Sequence, residues 1–190
     1  MGKLTLVLGG ARSGKSTYAE KLAKQSTGAV VYIATAEPGD NEMVERIAKH
    51  KSQRPAEWET LEIPFGVGQG VRESTLQPEV FLLDCVTLLM SNLILQVTEN
   101  IDQPPEEDVP AAVDAEIDAL VDAIHSADAH WIVVSNEVGL GLVPPYPLGR
   151  VYRDAIGRAN QRLSRVADEV FFLVAGMALP LHELGTHIAD

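Results

Sequence analysis

Apolar residues follow two rhythms along this chain. Short unbroken runs occur at 4–8 (LTLVL), 29–36 (AVVYIATA), 80–86 (VFLLDCV), 131–138 (WIVVSNEV) and 169–176 (EVFFLVAG). They are rich in β-branched residues, and such runs predict strands covered on both faces, because a solvated face would impose alternation. Between them apolar positions recur every three or four residues. Tyr18, Ala19, Leu22 and Ala23 do so in STYAEKLAKQ (16–25). Met43, Val44, Ile47 and Ala48 do so between Asp40 and Lys51, giving an amphipathic helix. Pro55 marks its end, since the residue before a proline is pushed out of helical geometry. Val113, Ile117, Leu120, Val121 and Ile124 stripe the segment 111–124, and a further helical pattern fills 150–166. Strands alternating with helices predict an α/β fold, a mostly parallel sheet with helices on both faces.

One stretch breaks the alternation. TENIDQPPEEDVP (98–110) is acidic, carries Pro104, Pro105 and Pro110, and reads as a surface insertion. No repeat or boundary divides the rest, so one domain over 1–190 is expected. Asp114, Glu116, Asp118 and Asp122 decorate the helix that follows. They read as a solvated face in preference to a metal site.

Composition narrows the field. A chain of 190 residues buries roughly 70% of its unfolded surface, enough for a core without staples. A net charge of −12 argues against nucleic acid as partner, because phosphate backbones attract basic surfaces. Any site for a phosphorylated ligand must therefore be locally basic. The single cysteine, Cys85, excludes an internal disulfide and fits a reducing compartment. No apolar run reaches membrane-spanning length and no signal peptide is apparent, so a cytoplasmic enzyme is expected.

The chemistry begins at GGARSGKS, residues 9–16, which fits G-x-x-x-x-G-K-S/T. Gly9, Gly10, Ala11, Arg12, Ser13 and Gly14 supply a turn whose backbone N–H groups can wrap a phosphate. Lys15 can reach the β and γ phosphates, and the Ser16 hydroxyl can hold Mg²⁺. The motif lies between a strand and a helix, as that mechanism requires. Asp84, ending the run VFLLD, is the candidate second anchor for the metal; its plainer role would be to cap the next helix. Glu137, at another strand end, either polarises a hydroxyl or closes the sheet. No N-K-x-D motif is present, which excludes a regulatory GTPase, and DAIG (154–157) falls within a helical pattern. A small phosphotransferase is the leading class.

RIAKHKSQRP (46–55) then draws notice, with His50 among Arg46, Lys49, Lys51 and Arg54 in an acidic chain. Neighbouring cations disfavour protonation and keep a neutral, nucleophilic imidazole. The same cations would stabilise a phosphate under attack. Taken alone, His50 reads as an exposed histidine near a helix C-terminus, where the dipole favours it. His125, His130, His182 and His187 show no metal-ligand spacing.

Several ordered segments together carry a resemblance: GGARSGKS, YIATA, RIAKHKSQRPAEWETLE, LLDCVTLLMSNL, SNEVGLGLVP and GRVYRDAIGRANQRLSRVADEVFFLVAG. Over nearly its whole length the chain resembles the bifunctional adenosylcobinamide kinase / adenosylcobinamide-phosphate guanylyltransferase family of cobalamin biosynthesis. The resemblance implies a RecA-like P-loop NTPase fold and a homotrimer. It implies phosphorylation of adenosylcobinamide with ATP or GTP. GMP then moves from GTP through a guanylylated histidine onto adenosylcobinamide phosphate, giving adenosylcobinamide-GDP. It makes His50 the nucleotide carrier and Lys51, Ser52, Gln53 and Arg54 part of the GTP site. It adds Ala34, Thr35 and Ala36 as a nucleotide-contacting turn, with Glu62 and Asp84 as acidic GTP-site positions. Some relatives carry a second histidine where this chain has Lys49, which leaves His50 as the single carrier here. Two other readings are a P-loop kinase of one activity, with His50 merely binding phosphate, and a nucleotide-dependent binding or switch protein.

Overall fold

The computed structural model describes residues 2–39, 41–105 and 107–186, and for residues 41–43, 46, 49 and 53 the backbone alone. Met43's place in the apolar stripe, the side chains of Arg46, Lys49 and Gln53, and His187 therefore lie outside what is described.

Six parallel strands form the body of the sheet. Lys3–Gly9 (β1) leads through a loop to helix Lys15–Ala23 (α1), and Val30–Ala34 (β2) leads to Asn41–Gln53 (α2). Glu59–Glu62 (β3) and Val67–Glu73 (α3) follow, then Val80–Asp84 (β4), Val86–Val97 (α4) and Asp108–Ser126 (α5). His130–Val134 (β5), Pro147–Val166 (α6), Glu169–Val174 (β6), Met177–Pro180 (β7) and Leu181–Leu184 (α7) complete the chain. The sheet order is β3-β2-β4-β5-β1-β6-β7, with β7 alone antiparallel, against β6. The predicted α/β architecture is therefore present, enlarged by β3 and β7 at its two edges.

Alternation of side chains sorts the strands between two cores. Leu4, Leu6, Ile33, Phe81, Leu83, Trp131 and Val133 face α3, α4, α5 and α6. Val7, Tyr32, Leu82, Ile132 and Val134 face the other way, onto Ala19 and Ala23 of α1. Small residues on α1 let that helix lie close, and the phosphate-loop motif enters on this second face.

Two features differ from the sequence pattern. The expected insertion 98–110 is shorter, because α5 begins at Asp108 and takes Pro110 into its first turn. Proline costs nothing there, since those N–H groups have no helical partner. The carboxylates of α5 are also not a uniformly solvated face. Arg162 of α6 pairs with Asp114 at 3.0 Å and with Asp118, and Arg158 reaches Asp114 at 3.3 Å. Glu116 is buried and accepts the backbone N–H groups of Gly66 and Val67, both at 2.9 Å.

Candidate functional site

The carboxyl ends of β1, β2, β4 and β5 open into a cavity of about 950 Å³. Its floor comes from the loop between β1 and α1. Gly14 adopts φ 99°, a left-handed conformation that suits glycine, and starts α1 directly afterwards. Ala11, Arg12, Ser13, Gly14, Lys15 and Ser16 all line the cavity. Gly9 ends β1, and the Gly10 carbonyl accepts a hydrogen bond from Lys15 Nζ at 2.6 Å.

Lys15 is buried, and burial holds its ammonium below the usual lysine range, with the charges of Cys85 and Asp84 opposing that shift. A cation stripped of water and paired to a carbonyl is poised to exchange that partner for phosphate oxygen. Ser13 Oγ is buried beside it with no hydrogen-bond partner among the described residues. A buried hydroxyl left unpaired fits a loop completed by a ligand's oxygens.

Strand order explains where Asp84 stands. One strand, β5, separates β1 from β4, so the two strand ends lie roughly 10 Å apart at ordinary strand spacing. Phosphates held on the loop can bridge that gap. Asp84 lines the cavity opposite Ser16, and its Oδ2 accepts the Tyr32 hydroxyl at 3.0 Å. Burial, then Asp84, push the Tyr32 phenol far above its usual range, so it stays a donor. Burial also raises the Cys85 thiol to about 11, which makes it inert at neutral pH.

The apolar stripe of α2 departs from its expected role. Val44, Ile47 and Ala48 turn toward the cavity, where His50, Lys51 and Arg54 join them. The helix is thus a wall of the site. Lys51 Nζ pairs with Glu62 Oε1 at 3.2 Å, and both face solvent at the cavity rim. Arg54 lays its guanidinium 3.4 Å from the Tyr32 ring centroid.

The turn after β2 divides. Ala34 and Ala36 line the cavity, whereas Thr35 is fully buried. Its Oγ1 donates to the Cys85 carbonyl at 2.7 Å and accepts the Cys85 N–H at 2.9 Å. Thr35 therefore staples the ends of β2 and β4 and does not face the cavity. Asn92 of α4 reinforces the turn by donating to the carbonyls of Thr35 and Pro64. Ser52 is exposed and lies off the cavity. Glu137 turns away: its N–H donates to Gly9 O and its carboxylate accepts Gly139 N–H at 2.6 Å, which closes the sheet end.

Several lining residues lie in the quoted segments but drew no assignment from the sequence. Tyr32, Thr87, Asn136 and Tyr152 all border the cavity. Asn136 follows β5 by two residues, and its carbonyl accepts Asn160 Nδ2 at 2.9 Å. Burial raises the Tyr152 hydroxyl to about 12. Position just beyond a strand's carboxyl end is the signal that could have found Asn136.

A family model described as cobinamide kinase / cobinamide phosphate guanyltransferase matches residues 5–181. This chain belongs to that family. Its members are transferases that use a nucleotide in both reactions, so this chain is a cobinamide kinase and a cobinamide phosphate guanyltransferase. The bifunctional adenosylcobalamin biosynthesis protein CobP of Pseudomonas aeruginosa is 43% identical over 176 residues, covering 93% of this chain and 95% of that protein. CobU of Escherichia coli and of Salmonella typhimurium are each 40% identical over 181 residues, covering 94% of this chain and 99% of theirs. Among solved structures, the RadB recombinase superposes with a TM-score of 0.50 at 14% identity, covering 90% of this chain and 73% of that one. At that identity only the fold is shared: a RecA-like P-loop NTPase. Among the described residues no helix is long and apolar enough to cross a membrane.

Proposed function

We propose that this chain phosphorylates adenosylcobinamide with ATP or GTP and then transfers GMP from GTP to the product through His50. The observation that carries the reading is the facing of two walls across one cavity. The phosphate loop with Lys15 lies on one side, and α2 with His50, Lys51 and Arg54 on the other. In the kinase step the substrate hydroxyl attacks the γ phosphorus and the bond to the β-phosphate oxygen breaks. Lys15 and the loop N–H groups stabilise the charge that develops there. In the second reaction an imidazole nitrogen of His50 attacks the α phosphorus of GTP. A nitrogen–phosphorus bond forms, and pyrophosphate leaves with the electrons of the broken bond. An oxygen of adenosylcobinamide phosphate then attacks that phosphorus, frees the imidazole and gives adenosylcobinamide-GDP.

Among the described residues no group of three or more His, Cys, Asp or Glu side chains is placed to hold a metal. Mg²⁺ suits such a site, because it keeps water and binds through one or two protein oxygens plus phosphates. Ser16 and Asp84 border the same cavity and fit those two places. Bound there, Mg²⁺ would neutralise phosphate charge in both reactions.

The test uses α-labelled GTP with Mg²⁺, followed by denaturation. Wild-type protein should retain an acid-labile, alkali-stable label, and His50→Ala should retain none while still phosphorylating adenosylcobinamide. Absence of label on active wild-type protein would leave His50 as a phosphate-binding residue of the kinase.

A further inference from the structure

Tyr32 opens the segment YIATA, which gave it no role of its own, yet it sits where two parts of the site meet. In the register of β2 and β4, Tyr32 pairs with Leu82 and Ala34 with Asp84. Tyr32 and Asp84 are therefore diagonal neighbours on one sheet face, about 8 Å apart at ordinary parallel spacing. A tyrosine is long enough to cross that distance, and its hydroxyl donates to Asp84 Oδ2 at 3.0 Å. The ring has little freedom, being 3% exposed among Val30, Val80 and Leu82. Its outer side carries the Arg54 guanidinium at 3.4 Å from the centroid. Arg54 Nε is buried with no hydrogen-bond partner among the described residues, so the aromatic face is what receives this cation.

We propose that Tyr32 is a positioning residue for the divalent cation: it fixes one carboxylate oxygen of Asp84 and leaves the other to meet the metal carried in by the nucleotide. This rests on the reading of Asp84 as a metal anchor. Without the phenol hydroxyl, Asp84 regains rotation about its side-chain bonds and must be reordered each time the metal arrives. The rival role is purely structural, a buried phenol using the nearest acceptor.

The two roles separate in binding experiments that need no turnover. GTP would be titrated into wild type, Tyr32→Phe and Asp84→Asn, once over a series of Mg²⁺ concentrations and once in EDTA. Tyr32→Phe keeps the ring beneath Arg54 and removes only the donor. Its metal-free affinity should match wild type, while the Mg²⁺ concentration for half-maximal enhancement should rise about tenfold, as expected for a lost hydrogen bond to a charged group. Asp84→Asn should lose most of the enhancement. Equal weakening of Tyr32→Phe with and without Mg²⁺, or an unchanged Mg²⁺ requirement, would overturn the positioning role. An unchanged Mg²⁺ requirement in Asp84→Asn would instead remove the metal reading, and the inference with it.

Discussion

Thr5, His130 and Glu169 form a hydrogen-bonded row near the amino ends of β1, β5 and β6, away from the nucleotide cavity. The Thr5 hydroxyl donates to Glu169 at 3.0 Å, so it has no proton left for His130 and accepts from Nε2 at 2.8 Å. Burial and the Lys3 charge lower the His130 pKa, while Glu169 and Asp168 oppose them. Burial alone would raise Glu169, but bonds from Lys3 and Thr5, with the charges of Lys3 and His130, bring it down. The linkage sign follows directly. Below 6.5 the unfolded chain takes up a proton at His130 before the folded one does, so stability falls as pH drops through that window. The depressed Glu169 adds loss in the same direction at lower pH, as its folded carboxylate is finally protonated. Urea midpoints measured downward from neutral pH should decline, and His130→Gln should flatten the first part of that decline. A slope identical in both proteins would assign it elsewhere. At this scale legibility in the sequence depended on motif: Lys15, Ser16 and Asp84 announced themselves by spacing and strand position. Tyr32 did not, because a tyrosine inside an apolar run reads as core. Its role depends on a register that no local pattern encodes.

Elements in this fold complete one another's ends. The N-cap of α3 is Gly66, which has no side chain to satisfy the first helical N–H groups. Glu116 of α5 supplies both acceptors, and α3 can approach because position 68 is glycine. A Cβ there would lie 2.1 Å from the Ala119 carbonyl oxygen. Glu116→Ala would strand two N–H groups and should cost about 3 kcal/mol. Glu116→Gln, which keeps one good acceptor, should cost less, and urea unfolding midpoints rank the two. If both variants matched wild type, the cap would be dispensable and water would satisfy α3. The main helices and five strands were legible from their rhythms. The edge strand β3 was not, since ETLE (59–62) has only half-buried and exposed positions and little apolar signal. The stripe on α2 was legible as amphipathic, but what it faces was not. Hydrophobic periodicity reports that one side of a helix leaves water; it does not distinguish a core from a cavity awaiting a ligand.

At the scale of the whole molecule, an apolar surface is left open among the described residues. Between β5 and α6 the chain exposes Leu140 at 81%, Leu142 at 96%, Val143 at 67% and Tyr146 at 59%. Their backbone is tied down: Arg150 donates to the carbonyls of Pro144 and Pro145 at 3.2 and 2.9 Å, and Arg153 donates to that of Gly139. An ordered loop that presents several large apolar side chains together is suited to contact with another surface. Covering one such side chain is worth about 1.5–3 kcal/mol, so a few repeated around a ring can outweigh the mutual repulsion of chains that each carry −12. The resemblance to the cobinamide kinase family implies a homotrimer, and this loop is where we expect its subunits to touch. Light scattering during size-exclusion chromatography should give three times the chain mass of 20.5 kDa. Leu142→Asp should shift the population toward single chains as concentration falls, because a desolvated carboxylate in the contact opposes assembly. High salt should stabilise the wild-type assembly by screening the acidic surfaces. A wild-type protein that ran as single chains at every concentration would count against the trimer. A trimer untouched by Leu142→Asp would move the contact elsewhere.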